Sequence, residues 1–415
     1  MPDSAFLREA EARGFVFQCT DSAALDAALS AGVISGYAGF DLTADSLHVG
    51  HMIQVMLLRL LQRHGHRPVA LLGGGTSRIG DPSFREEARL LLDDDAIERN
   101  RQGIRRVLQA MLRFGTGPSD AILADNAQWL DALGYVDLLR EVGVHFSVSR
   151  MLGFDSVRQR LEREQGLTFL EFNYSILQSY DFRELGRRHN VSLQFGGSDQ
   201  WGNIVSGVDL VRRTEQKQVF GLTTPLLTTA SGAKMGKTAS GAVWLSAARL
   251  TPFDYWQFWR NTEDADVGRF LRLFTELDIA ECDRLASLKG AAINEAKKIL
   301  ATEATAICHG RDAALTAAGA ARQLFEDATG DAQALPSRHL AGIDLNGGIA
   351  ACRLFVLAGL AASNSEARRL ARGGGLRVND QTLRDENQII STDDLRDGAV
   401  KLSVGRKQHL LVRTG

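Results

Sequence analysis

Residues 36–52, GYAGFDLTADSLHVGHM, limit what this chain can fold into more than any other stretch. An apolar run passes through a tight polar loop into a helix whose apolar residues Met52, Val55, Met56 and Leu60 recur at helical spacing. Gly65 and Pro68 end that helix, and Val69–Leu72 is a wholly apolar strand running into Gly73-Gly74-Gly75-Thr76. Strand, helix, strand with buried-type strands is the βαβ unit of a parallel sheet. Ligands of such sheets gather at the carboxyl ends of the strands, where the polar loop and residues 73–81 fall.

His48 and His51 stand one turn apart where this helix begins, with Gly50 between them so that a ligand can approach the backbone. A helix N-terminus presents unpaired N–H groups and the positive end of a dipole, which suits a phosphate chain. Taken alone, two such histidines suit half of a metal site or a solvated helix face equally well. The preceding Asp41-x-Thr43-x-Asp45-Ser46 shifts the balance, because acids in a loop closing an apolar strand are costly for a plain turn. No Cys, Asp or Glu follows at zincin-like spacing, so no protein-ligated metal is expected. Further along, Lys234-Met235-Gly236-Lys237-Thr238 lies in a loop rich in Gly, Ala and Ser. Two ammonium groups there can neutralise a triphosphate as pyrophosphate departs. A lone KxxK would more often be a solvated basic loop, and the pattern is not a Walker A loop. It is the pairing of HxGH with KMxKT that points to ATP.

The 415 residues allow two to four domains, and 44% apolar residues with a net charge of −2 describe an ordinary globular chain. Such a balance excludes a protein that coats nucleic acid indiscriminately, but not a local basic module. Cys19, Cys282, Cys308 and Cys352 show no CxxC spacing, the N-terminus has no apolar h-region, and no uncharged run is long enough to span a bilayer. A cytoplasmic location is expected, with no membrane partner. In order, the pattern predicts two short helices in residues 1–32, the second capped at Thr20-Asp21 and stopped at Gly32. A strand over 33–41 follows, then a charged helix over 86–113, a strand at 121–123 ending at Asp125-Asn126, and another over 191–195 entering Gly196–Gln200. TPLLTT (224–229) is strand-like, and 249–330 is helical throughout. Residues 332–346, with Pro336 and Gly342 and little periodicity, read as linker.

HVGH resembles the HIGH signature, and KMGKT the KMSKS signature, of class I aminoacyl-tRNA synthetases. Along nearly its whole length the chain is similar to the bacterial tyrosyl-tRNA synthetases of that class. The matching stretches are YAGFDLTADSLHVGH, GGGTSRIGDPS, YSILQSYDF, GGSDQWGNI, KMGKTASGAVWL and FDYWQFWRNTEDADV. This resemblance implies that Tyr37 and Asp181 bond a substrate phenol, that Tyr174, Gln178 and Asp81 hold its ammonium group, and that Gln200 lies near its carboxylate and the α-phosphate. The resemblance also implies ATP contacts at Asp41, Thr43, His48, Gly50, His51, Gly197 and Asp199, with Lys234, Lys237 and Thr238 from the mobile loop. Tyr174, Gln178 and Asp181 lie at i, i+4 and i+7, so one helix face presents all three. A half-buried amphipathic face would read the same way, but a buried carboxylate is costly unless a donor such as a phenol satisfies it. A site built to bond the hydroxyl rejects phenylalanine by about 10⁵ without editing, a magnitude established for this very family. Three departures stand out: Leu42 where proline is usual, Ala38 where some relatives place a thiol, and Phe84-Arg85 where many have Gly-Lys.

Residues 349–415 carry 11 basic against 7 acidic residues, a local net of +4. RLFVLAGLAASNSEARRLARGGGLRVND resembles a small RNA-binding module shared with a ribosomal small-subunit protein, which implies RNA contacts at Arg353, Arg368, Arg369 and Arg372. A solvated basic helix is the plain alternative. The expected architecture is α/β: an N-terminal helical arm (1–32) and a Rossmann-like parallel-sheet catalytic domain (33–245). An all-α anticodon-side domain (246–330), a linker (331–348) and a small α+β RNA-binding domain (349–415) follow. The expected reaction activates L-tyrosine with Mg-ATP and passes it to tRNA(Tyr), in a homodimer. Rival readings are a tryptophanyl relative, another adenylyl- or nucleotidyltransferase, or a catalytically silent paralogue retained as an RNA-binding or splicing factor.

Overall fold

The computed structural model describes residues 2–81, 92–163, 166–232, 235–238, 241–325, 337–340, 345–396, 398–405 and 408–414. It divides into two compact units, Met1–Leu250 with Phe258–Gly310, and Thr251–Gln257 with Arg311–Gly415.

The first unit is built on a six-stranded sheet of β1 (Gln18–Cys19), β2 (Ser35–Asp41), β3 (Arg67–Gly73), β4 (Ile122–Asp125), β5 (Val191–Gly197) and β6 (Phe220–Thr224), in the order β1-β6-β5-β2-β3-β4. All neighbours are parallel except β1, which runs antiparallel to β6. The order reverses between β2 and β5. Their carboxyl ends, Asp41 and Gly197, therefore flank the switch point where open α/β sheets bind ligands. The helix Val49–Arg63 covers this centre and buries Met52, Val55, Met56, Leu60 and five further apolar side chains. Each fully buried Leu or Met contributes roughly 1.5–3 kcal/mol, which is what fastens the helix to the sheet.

The sequence expectations for β2 to β5 agree in type with these elements. Asp21 accepts from Ala24 N–H as N-cap of the helix Ser22–Ala31, as its position suggested. Three details differ. The βαβ helix starts at Val49, past the His48 that the sequence reading put on its first turn, because His48 is extended (φ −121°, ψ 170°) and serves as N-cap. TPLLTT is not a strand of this sheet: β6 stops at Thr224, since Pro225 has no N–H to donate. The charged helix is described over Asp94–Met111, with Asp93 as N-cap, and residues 82–91, including Phe84-Arg85, lie outside the described part. Five helices account for most of 252–325.

In the second unit the helices Ala351–Leu357 and Asn364–Arg372 pack with a five-stranded sheet around Leu354, Phe355, Ala367, Leu376, Val400 and Leu402. Ser337–Leu340, inside the stretch read as linker, is an edge strand of that sheet, parallel to Gln408–Thr414. A parallel partner some 70 residues away leaves no local pattern to read.

Candidate active site

Every parallel strand of the sheet delivers residues to one edge. β2 ends at Asp41, whose Oδ1 accepts from Thr76 Oγ1 at 3.2 Å and from the Tyr174 hydroxyl at 3.4 Å. Leu42, where the resemblance leads one to expect proline, uses the N–H that proline lacks. It donates to Ser77 Oγ at 2.6 Å, while its carbonyl accepts from Asn100 Nδ2 at 2.7 Å. The loop is thus held by two bonds where a ring constraint was missing. Thr43 is exposed beside it. From the ends of β3 and β5, Asp81 and Gln200 meet, Gln200 Nε2 donating to Asp81 Oδ2 at 2.9 Å. The same amide lies 3.3 Å from Asp199 Oδ2, and Gln200 Oε1 accepts from Asn203 Nδ2 at 3.0 Å.

The helix Tyr174–His189 presents Tyr174, half-buried Gln178 and buried Asp181. Asp181 is 2% exposed; its Oδ1 accepts from Trp129 Nε1 at 2.7 Å and its Oδ2 from Asn126 Nδ2 at 2.9 Å. Burial pushes its carboxyl up to about 7, against these two donors, with the charges of Asp41 and Asp125 raising it further. Tyr37, on β2, packs its ring on Phe182 at 5.4 Å and buries its hydroxyl without a hydrogen-bond partner among the described residues. Burial, then the neighbouring Asp181 charge, holds that phenol well above its ordinary value. Asn126 and Trp129 were missed by sequence reasoning as site residues. The available signal was Asp125-Asn126, a polar pair where an apolar strand ends, though nothing local links it to Asp181.

At the helix end, His48 Nδ1 accepts from Gly50 N–H at 3.0 Å and His51 Nδ1 accepts from His48 N–H at 3.3 Å, a reciprocal capping box. The two rings lie 4.0 Å apart between centroids. His48 is thus a cap beside the helix, not a residue on its face. Gly50 is needed here, since a Cβ would come within 2.7 Å of His48 Cε1. The chain after the KMGKT segment clamps the same end: Val49 N–H donates to Val243 C=O at 2.9 Å and Leu245 N–H to Leu47 C=O at 2.8 Å. Gly236 (φ +98°) sits so near that a Cβ there would lie 3.2 Å from Gly50 N. The two signatures are therefore one structural unit. Lys234 lies outside the described residues; Lys237 and Thr238 form a two-residue strand paired with Gly241–Ala242, their side chains undescribed.

In the second unit Arg353, Arg368, Arg369 and Arg372 are all exposed, on the two packed helices. Arg372 pairs with both oxygens of Glu386, at 2.6 and 3.2 Å. Among the described residues no group of three or more His, Cys, Asp or Glu is placed to hold a metal ion, and no helix is long and apolar enough to cross a membrane.

A parallel sheet with a polar edge at its switch point, and a capped helix end joined to a lysine-bearing segment, defines a nucleotide-handling α/β enzyme. Residues 30–326 match the family of tRNA synthetases class I (W and Y), and the chain belongs to it. Among its relatives is the tyrosine–tRNA ligase of Gluconobacter oxydans, 65% identical over 415 residues and covering all of both chains. That of Rhodospirillum rubrum is 60% identical over 413 residues, 99% of this chain and 98% of the relative. A C-terminally truncated mitochondrial tyrosyl-tRNA synthetase of Aspergillus nidulans superposes with a TM-score of 0.70 at 31% identity, covering 77% of this chain and 94% of that one.

Proposed function

We propose that the chain attaches tyrosine to tRNA(Tyr) in two steps. A carboxylate oxygen of tyrosine attacks the α-phosphorus of Mg-ATP; a P–O bond forms, the bond to the β-phosphate breaks, and pyrophosphate leaves with the electron pair. A hydroxyl of the tRNA 3′ ribose then attacks the activated carbonyl, and AMP departs. Mg²⁺ arrives with the nucleotide as part of the substrate.

The observation that carries this reading is the polar end of the buried site. Asp181, fixed by Trp129 and Asn126, lies near enough for its charge to raise the phenol of Tyr37, whose hydroxyl has no partner of its own among the described residues. A phenol can donate to the first and accept from the second, whereas phenylalanine would leave both polar groups unsatisfied. Tyr174, Gln178 and Asp81 are the ammonium ligands, and Gln200 serves the carboxylate end. Asp41, Thr43, Gly50, Gly197 and Asp199 hold the nucleotide. His48, His51, Lys234, Lys237 and Thr238 stabilise the charge that builds on the departing pyrophosphate, and so act on the transition state more than on bound ATP. No side chain need become covalently attached.

The arginines of the second unit bind tRNA phosphates, which supplies salt-dependent affinity with little base reading. The enzyme works in the cytoplasm as a homodimer. Tyr135, Val136, Val144, Val148 and Phe169, each more than half exposed, support the dimer as large apolar side chains that a second copy would bury. Pyrophosphate exchange into ATP that depends on tyrosine tests the activity. Exchange supported instead by tryptophan, or absent with every amino acid, would refute it.

A further inference from the structure

The segment bearing Lys234 and Lys237 rises from a stem gripped by one buried acid. Asp266 closes the 3₁₀ turn Asp264–Asp266 and leads with helical backbone (φ −92°, ψ −17°) into the helix Val267–Phe274, and its carboxylate makes no capping bond there. Here Oδ2 accepts from Ala230 N–H at 2.8 Å, 36 residues away in sequence, and Oδ1 pairs with Arg269 at 2.8 Å. Arg269 in turn donates to the Thr228 carbonyl. A single ion pair therefore holds the carbonyl and the N–H on either side of Thr229. Glu263 adds a third tie, accepting from Ser231 Oγ at 3.0 Å.

The stem is narrow. Gly232 N–H returns to Thr229 C=O at 2.9 Å and Met235 N–H to Leu227 C=O at 3.0 Å, so the chain re-enters beside the point where it left. One residue later Gly236 lies against Gly50 at the capped helix end. Ala230, Ser231 and Gly232 are exposed, and water could satisfy their backbone groups. Asp266, by contrast, is 3% exposed. A buried carboxylate spent on a solvated turn adds little cohesion; what it supplies is location.

We propose that Asp266, acting with Arg269, is a positioning residue for the ATP-dependent step, fixing the stem of the KMGKT segment against the Val49 end of the signature helix. This rests on the activity proposed above. The pair touches neither substrate. It sets the register in which the two lysines are carried, and small displacements of charge-stabilising groups are costly in rate.

The test uses Asp266→Asn, Arg269→Met and the double variant in the full chain. Three quantities are read: tyrosine-dependent pyrophosphate exchange, the tyrosine Kd, and the rate of tryptic cleavage within residues 228–238. Each single variant should lower exchange by about tenfold to a hundredfold. The double should fall within about twofold of the worse single, and the tyrosine Kd should move by no more than about twofold. Cleavage should quicken in all three variants and be slowed by ATP most in the wild type. Arg269 is partly exposed, so its variant folds even if an amide buried in place of the Asp266 carboxylate proves disruptive. Unchanged exchange, additive losses, or a loss of tyrosine affinity matching the loss of exchange would overturn the proposal. If the wild type itself showed no exchange, the activity reading would fall, and the cleavage rates would still decide whether Asp266 and Arg269 fix the stem: unchanged cleavage in the variants would overturn that.

Discussion

The indole Nε1 of Trp129 donates a 2.7 Å hydrogen bond to Oδ1 of Asp181, fifty-two residues further along the chain. With Asn126 on the other oxygen, the carboxylate is aimed by donors at the end of β4 and leaves lone pairs for a third donor. Removing one donor from a charged acceptor costs about 1.5–3 kcal/mol. Trp129→Phe is therefore expected to weaken tyrosine binding by about tenfold to a hundredfold and to narrow the discrimination against phenylalanine. Asp181→Ala should narrow it further. Competition between the two amino acids in pyrophosphate exchange checks both.

The raised carboxyl of Asp181 gives a pH signature. Burial pushes it up to about 7, against about 3.9 in an unfolded chain. Between those values the native state binds more protons than the unfolded state, so this group lowers stability as pH rises from about 4 to 7. Asp181→Asn should flatten that slope in urea titrations. In the proposed role the substrate phenol donates to the ionised carboxylate, so tyrosine affinity should rise with pH up to about 7 and then level off. Isothermal titration from pH 5.5 to about 8.5 reads this, and an affinity that does not change across that range would contradict the assignment.

His48 Nδ1 caps the helix at Gly50, and the proposed function gives its ring a second, separable role beside the departing pyrophosphate. His48→Ala should cost about 1 kcal/mol of stability through the lost cap and also slow activation. His48→Asn restores a capping acceptor, so it should recover stability but not rate. Lys237→Ala should slow activation with tyrosine affinity unchanged. Stopped-flow activation and thermal unfolding, measured side by side, separate cap from catalyst.

Gly103 lies inside the helix Asp94–Met111, where alanine would ordinarily stabilise by up to about 1 kcal/mol. Here a Cβ would fall 1.8 Å from the carbonyl oxygen of Asp45, in the loop between β2 and the capped helix. Gly103→Ala is expected to destabilise by about 1–3 kcal/mol, the usual range for overpacking, and to raise the KM for ATP by displacing that loop. Thermal unfolding and exchange kinetics as a function of ATP check the two effects.

A run of exposed apolar side chains from Tyr135 to Phe169 should be buried between two copies. Replacing Val144 and Val148 together with Asp should shift sedimentation toward monomer. Wild-type protein that is already monomeric at micromolar concentration would contradict the proposed dimer.

The chain by itself determined the βαβ start, the strands that end in polar loops, the Asp21 cap, and the two signatures with their order, because periodicity, turn chemistry and motif spacing act over a few residues. Only the tertiary structure decided that His48 caps its helix, that Leu42 uses its N–H on Ser77, and that Gly236 rests on Gly50. The same holds for Trp129 and Asn126 aiming Asp181, and for Ser337–Leu340 joining a sheet edge far down the chain. Each of these is a contact between groups distant in sequence or set by the path of the surrounding chain. Such a contact follows from where the parallel strands order themselves and bring their carboxyl ends together, and no local pattern of residues encodes that meeting.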